Sequence, residues 1–133
     1  CAIGINDSIF DQKSPMLLTP YTKFNENLSK LYGLAKKYSN KIIFLGLTPV
    51  DEEKCLNMKI DSTYINSNIQ RYNNLIRAFC EEHNINFIEL FSSFSKKKYK
   101  KLLIDGLHPN TNGHELIFSE IKSHLRKSGI IKI

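Results

Sequence analysis

Two short clusters in this sequence could do chemistry together. The first is Asp105-Gly106-Leu107-His108. A hydroxyl nucleophile needs an imidazole to take its proton, and that imidazole needs an acceptor on its other nitrogen to fix its tautomer. An Asp three residues before a His, on a turn that contains a glycine, can fold back and supply that acceptor locally. The same spacing also suits a loop histidine hydrogen-bonded for structural reasons, and short motifs recur by chance. The second cluster is Gly4-Ile5-Asn6-Asp7. An Asn amide projecting from a strand end can donate to a developing oxyanion, and removing such a donor costs about 3–4 kcal/mol. Gly, Asn and Asp also make ordinary turns.

Whether the clusters meet depends on the elements between them. Residues 1–5 read as the tail of a strand running into a loop. Thr19 and Pro20 supply an N-cap and a first-turn proline, and Phe24, Leu28, Leu31, Ala35 and Tyr38 then form one apolar helical stripe. Residues 41–47, ended by Thr48-Pro49, are apolar without alternation, as a parallel strand covered on both faces requires. Ile65, Ile69, Tyr72, Ile76 and Phe79 mark a second helix. Residues 84–90 hold another apolar run, residues 94–103 are expected to form a short helix, and residues 105–110 a loop. A last helix is expected near Asn112, whose spacing to Glu115 fits a capping box, with Leu116, Ile117, Ile121 and Leu125 on its inner face. Alternating strands and helices predict an α/β domain with a parallel sheet and right-handed crossovers. In such sheets the working site lies outside the carboxyl ends of the strands, so both polar clusters belong at one edge.

The bulk composition fits this reading. Hydrophobic residues make up 41% and charged ones 24% of the 133 residues, ordinary for a globular protein. The net charge of +6 comes from 19 basic and 13 acidic side chains. Much of the excess sits in Lys96, Lys97, Lys98, Lys100 and Lys101. No aromatic interleaving or nucleic-acid motif accompanies them, so they read as a solvated face, with no nucleic acid expected as a partner. No apolar run approaches the roughly 18 residues of a membrane span. Cys1, Cys55 and Cys80 show no metal spacing and read as free thiols of a reducing compartment.

Gly4-Ile5-Asn6-Asp7 resembles the G-x-N-D segment of the SGNH hydrolases, also called GDSL esterases and lipases. Asp105-Gly106-Leu107-His108-Pro109-Asn110, followed by Gly113-His114, resembles their D-x-x-H-P segment, and the intervening element order with Thr48-Pro49 is similar as well. The resemblance spans essentially the whole chain. It implies a flavodoxin-like, three-layer α/β/α fold with a parallel sheet, residues 1–133 being the C-terminal part of a single such domain. It also implies hydrolysis of a small ester, such as an acetylated carbohydrate or a lipid ester, without metal or organic cofactor. His108 would be the general base, Asp105 would orient it, and Asn6 would donate to the oxyanion. Asp7 would be a structural hydrogen-bond partner fixing the Asn6 loop, and Gly113 and His114 would shape the start of the last helix.

Two parts of the family pattern have no clear counterpart: the nucleophilic serine of the G-D-S segment and the glycine after the second strand. Both are expected upstream of Cys1. Asn6-Asp7-Ser8-Ile9 offers an alternative in which Ser8 is the nucleophile, against which stands the full G-x-N-D match. Two readings come from other classes. One is a non-catalytic binding module that keeps the fold without the serine. The other is a metal hydrolase using Asp105, His108 and His114, whose spacing matches no recognised zinc motif. A sheet edge left open at residues 1–5 is also expected to invite self-association.

Overall fold

A computed structural model describes residues 1–56 and 61–131. A 3₁₀ turn, Asn6–Ser8, leads into β1 (Phe10–Asp11) and β2 (Met16–Leu17), followed by α1 (Tyr21–Ala35), β3 (Ile43–Leu45), α2 (Glu52–Leu56), β4 (Ser62–Thr63), α3 (Asn66–Glu82) and β5 (Asn86–Ile88). Then come α4 (Phe91–Ser95), a second 3₁₀ turn, Tyr99–Leu102, and α5 (Thr111–Lys127).

The expected parallel sheet forms around β3. It pairs in parallel with β5, Phe44 opposite Phe87, and on its other side takes a parallel bridge from Ala2 to Leu45. The amino group of Cys1 donates to the carbonyl of Ile43 at 2.6 Å, and Leu45 N–H donates to the carbonyl of Cys1 at 2.8 Å. Alternate residues of a strand face opposite ways, and β3 uses both faces. Phe44 is fully buried in a cluster with Phe24 and Leu28 of α1 and Ile69, Tyr72, Ile76 and Phe79 of α3. Leu45, on the other face, shares a cavity with Ile117 of α5. Helices therefore cover both faces of parallel strands, the α/β arrangement read from the sequence.

The core explains the two long stripes. On α3 all of Ile69, Tyr72, Ile76 and Phe79 are buried, and the Tyr72 hydroxyl donates to the carbonyl of Thr19, tying α3 to the entry of α1. Burial pushes the Tyr72 hydroxyl up to about 12, so it remains a donor. Buried Asn73 accepts from Leu47 N–H at 2.9 Å, which satisfies the backbone where β3 ends, and its amide faces Glu89, itself paired with Arg77.

Several boundaries differ from expectation. Pro20, not Thr19, is the N-cap of α1. Its ψ of 148° is non-helical, and its carbonyl accepts the first helical bond, from Phe24 N–H at 2.9 Å. Tyr38 lies past the end of α1 and is 89% exposed, because three-residue bonds such as Tyr38 N–H to Ala35 tighten the chain into turns there. The expected helix at 94–103 is split between α4, which begins earlier at Phe91, and the 3₁₀ turn. The cap of α5 is Asn110 rather than Asn112: its side chain accepts from Gly113 N–H at 3.1 Å while its amide donates to the Lys101 carbonyl at 2.8 Å. The side chains of Leu116, Ile117, Ile121 and Leu125 are only half-buried. A small antiparallel sheet, β2-β1-β4, was not legible in the sequence.

Candidate active site

The turn that carries Asp105 and His108 is built from its own backbone. One Asp105 oxygen, Oδ1, accepts from the N–H groups of Leu107 and His108, both at 2.8 Å. The other, Oδ2, lies 2.7 Å from His108 Nδ1. The backbone N–H of His108 and the bonds around it hold the Asp105 carboxyl far below the usual carboxylate range. An ionised carboxylate can only accept, so the hydrogen of this bond sits on Nδ1, and the neutral ring keeps its lone pair on Nε2. The His108 side chain is 69% exposed.

The turn is pinned from below. An antiparallel bridge joins Leu103 to Pro109, and Ile104 N–H donates to the His108 carbonyl at 2.9 Å. Gly106 takes a φ of +98°, in the region L side chains avoid, and a Cβ there would lie 2.6 Å from Lys54 Cβ. Its carbonyl accepts from Asp51 N–H at 2.8 Å. Asp51 in turn pairs with Lys100 at 2.9 Å, so one member of the lysine run is a structural ion pair. Lys96, Lys97, Lys98 and Lys101 are exposed.

Asn6 stands at the start of the first 3₁₀ turn. Gly4, with φ +114°, brings the chain in so closely that a Cβ would meet Phe24 and Ile76 at 3.2 and 3.3 Å. The Ser8 hydroxyl donates to the Ile5 carbonyl at 2.7 Å and closes the turn. Ser8 is 0% exposed. That is no position for a nucleophile that must reach a substrate. Asp7 does not play the expected loop-fixing part: among the described residues its carboxylate meets Tyr72 as a nearby charge and accepts no hydrogen bond. The bond to the loop comes instead from Tyr64, whose hydroxyl donates to Asn6 Oδ1 at 3.2 Å.

The fold brings the two clusters together. Asn6 and His108 line one cavity of about 230 Å³, walled by Ile3, Ile5, Leu47, Leu107 and Ile117. It opens at the carboxyl ends of the parallel strands. Thr48, read from the sequence only as the end of the middle strand, lines the cavity, and Tyr64, which was not singled out in the sequence, reaches Asn6 over 58 residues of chain. His114 lies exposed in the first turn of α5, its N–H bonded to Asn110. Among the described residues no three His, Cys, Asp or Glu side chains group closely enough to hold a metal ion.

A parallel α/β fold with these two segments at one edge defines a class of proteins, and the chain belongs to it: the GDSL-like lipase/acylhydrolase family matches residues 1–116. Among individual proteins, the chain is 30% identical over 130 residues to a GDSL esterase/lipase of Arabidopsis thaliana, covering 89% of this chain and 50% of that protein. It is 26% identical over 110 residues to the isoamyl acetate-hydrolyzing esterase of Saccharomyces cerevisiae, covering 77% and 46%. The chain thus spans about half the length of the curated relatives it matches. Its fold is similar to that of the lipase/acylhydrolase from Enterococcus faecalis, with a TM-score of 0.76 at 20% identity over 96% of this chain and 60% of that one. An acetylxylan esterase from Geobacillus stearothermophilus gives 0.70 at 18% identity over 93% and 57%.

Proposed function

We propose that the protein to which these residues belong is a serine ester hydrolase acting on small esters, with His108 and Asp105 as its base arm and Asn6 in its oxyanion hole. The observation that carries this reading is that His108, held through Nδ1 by Asp105, and Asn6 line a single cavity. His108 Nε2 takes the proton of a serine hydroxyl as its oxygen attacks the ester carbonyl. The carbonyl pair moves onto oxygen, and the Asn6 amide donates to the resulting anion. His108 returns the proton to the departing alkoxide, leaving an acyl-serine. Water repeats the sequence in the second half, again giving its proton to His108.

The serine and a second oxyanion donor come from a segment N-terminal to residues 1–133. Three observations support this: Ser8 is buried, no serine lines the cavity among the described residues, and the relatives are about twice as long. The part of the cavity that these residues wall is mainly apolar, which suits the acyl group of an ester. The names of two similar proteins, an isoamyl acetate-hydrolyzing esterase and an acetylxylan esterase, point to acetyl as that group. Acetyl esters of alcohols or carbohydrates are therefore the proposed substrates, ahead of long lipid esters. We further propose that the sheet edge at residues 1–3 pairs with a second copy of this chain once salt screens its net charge of +6.

The test is turnover of p-nitrophenyl esters of increasing acyl length by the full-length protein, with and without a serine-directed phosphonate. The expected results are phosphonate inhibition, a preference for acetate, a loss on the order of 10⁴-fold for His108→Ala and little change for Ser8→Ala. Phosphonate labelling of Ser8 reverses the assignment of the nucleophile. Full activity in His108→Ala overturns the base arm. Binding of acylated ligands without any turnover favours a binding module.

A further inference from the structure

The small antiparallel sheet does more than close a loop. β4 is held on one side by β1, with Thr63 opposite Phe10 and Ser62 opposite Asp11. Just past it, Asn66 clamps the backbone of Val50 in both directions, accepting its N–H at 2.8 Å and donating to its carbonyl at 2.9 Å. Tyr64 lies between these two fixed points, its ring packed against the core. Its hydroxyl donates to Asn6 Oδ1 at 3.2 Å.

A primary amide has one acceptor end and one donor end. A hydroxyl that donates to Oδ1 fixes which end is which, and it leaves both hydrogens of Nδ2 free for another acceptor. Asn6 stands exposed at the cavity rim, where an unheld amide would rotate and present either end. Burial keeps the Tyr64 hydroxyl above its ordinary range, so it stays protonated and donating.

We propose that Tyr64 is a positioning residue for Asn6: its hydroxyl holds the amide oxygen and so aims the amide nitrogen at the oxyanion. The inference rests on the reading of Asn6 as an oxyanion donor. It gives the β2-β1-β4 sheet a part in catalysis, because β4 delivers Tyr64. A hydrogen bond that strengthens only in the transition state acts on kcat and not on KM.

The experiment is a double-mutant cycle in the full-length protein, read as kcat and KM on p-nitrophenyl acetate, with thermal melting of each variant. Tyr64→Phe keeps the packed ring and removes only the hydroxyl. It is expected to lower kcat about tenfold, with KM within about twofold, the size of one modest hydrogen bond. Asn6→Ala is expected to lower kcat about 10²–10³-fold. Adding Tyr64→Phe to Asn6→Ala should then change nothing. Affinity for a boronic acid, which forms a tetrahedral oxyanion adduct, should fall with kcat in Tyr64→Phe, while affinity for the product acid stays constant. An equal loss from Tyr64→Phe in both backgrounds would mean a general structural effect and overturn the proposal. Wild-type kcat in Tyr64→Phe beside a crippled Asn6→Ala overturns it too, leaving the oxyanion reading intact. Wild-type kcat in Asn6→Ala removes that reading and the inference together.

Discussion

Asp105 concentrates three hydrogen bonds on two oxygens, all donated from within three residues of itself. That locality is why the Asp-His arm was legible in the sequence: its geometry needs one turn and no distant partner. Tyr64 was not legible, because its bond to Asn6 depends on two strands of two residues each, too short to leave a pattern. The same locality sets a pH dependence. The folded-state carboxyl of Asp105 is held far below its ordinary value, so its contribution to stability is fully present above the unfolded value of about 3.9. It is lost only as pH falls below that, toward the folded value. The melting temperature of Asp105→Asn should therefore sit below that of the parent by a constant gap from neutral pH down to about pH 5, and the gap should close below about pH 4. A gap that closes between pH 7 and 5 would mean that another group carries the effect. Because the side chain is partly exposed, added salt should narrow the gap.

Elements place these residues through a few backbone accommodations. Gly106 packs the His108 turn onto the start of α2, with φ +98° and Lys54 directly against it. Gly106→Ala combines a strained backbone with a clash, and should cost about 1–3 kcal/mol of unfolding free energy. Urea denaturation would show this as a lower midpoint at constant slope; an unchanged midpoint would mean the turn relaxes freely. Asn73, 1% exposed, performs the matching task for β3 by satisfying Leu47 N–H. Asn73→Ala strands that donor in the core, with an expected loss of about 1–3 kcal/mol, and Asn73→Leu should do no better. The helices that bear these residues were readable because α1 and α3 repeat their apolar positions with the period of a helix. Their ends were not, since caps depend on tertiary bonds. Asn110 and Asn112 are equally good caps by type. Asn110 takes the position because the Leu103–Pro109 bridge carries the chain extended up to it and Lys101 offers its amide a carbonyl.

At the scale of the whole molecule, two opposing features decide how the chain behaves alone. Residues 1–3 form the outer edge of the parallel sheet: Ala2 bridges Leu45 on one side, and Ala2 is exposed. Apolar groups are also left in solvent elsewhere on the surface, Phe118 at 64% and Ile104 at 70% exposure. Unpaired strand edges and exposed apolar surface recruit other chains. Against this stands a net charge of +6, much of it in the exposed lysines at 96–98 and 101, which repels like copies at low ionic strength. Sedimentation of the 133-residue chain should therefore give a mass near 15.4 kDa in dilute, low-salt buffer. It should rise toward the dimer or beyond as salt screens the lysines, and sulfate should act more strongly than chloride at equal ionic strength because it also strengthens apolar burial. Ala2→Lys places a charge on the exposed residue of that edge and should abolish the association without lowering the melting temperature by more than a few degrees. Were the association instead held by ion pairs, salt would dissolve it, and the direction of the salt effect alone separates the two mechanisms.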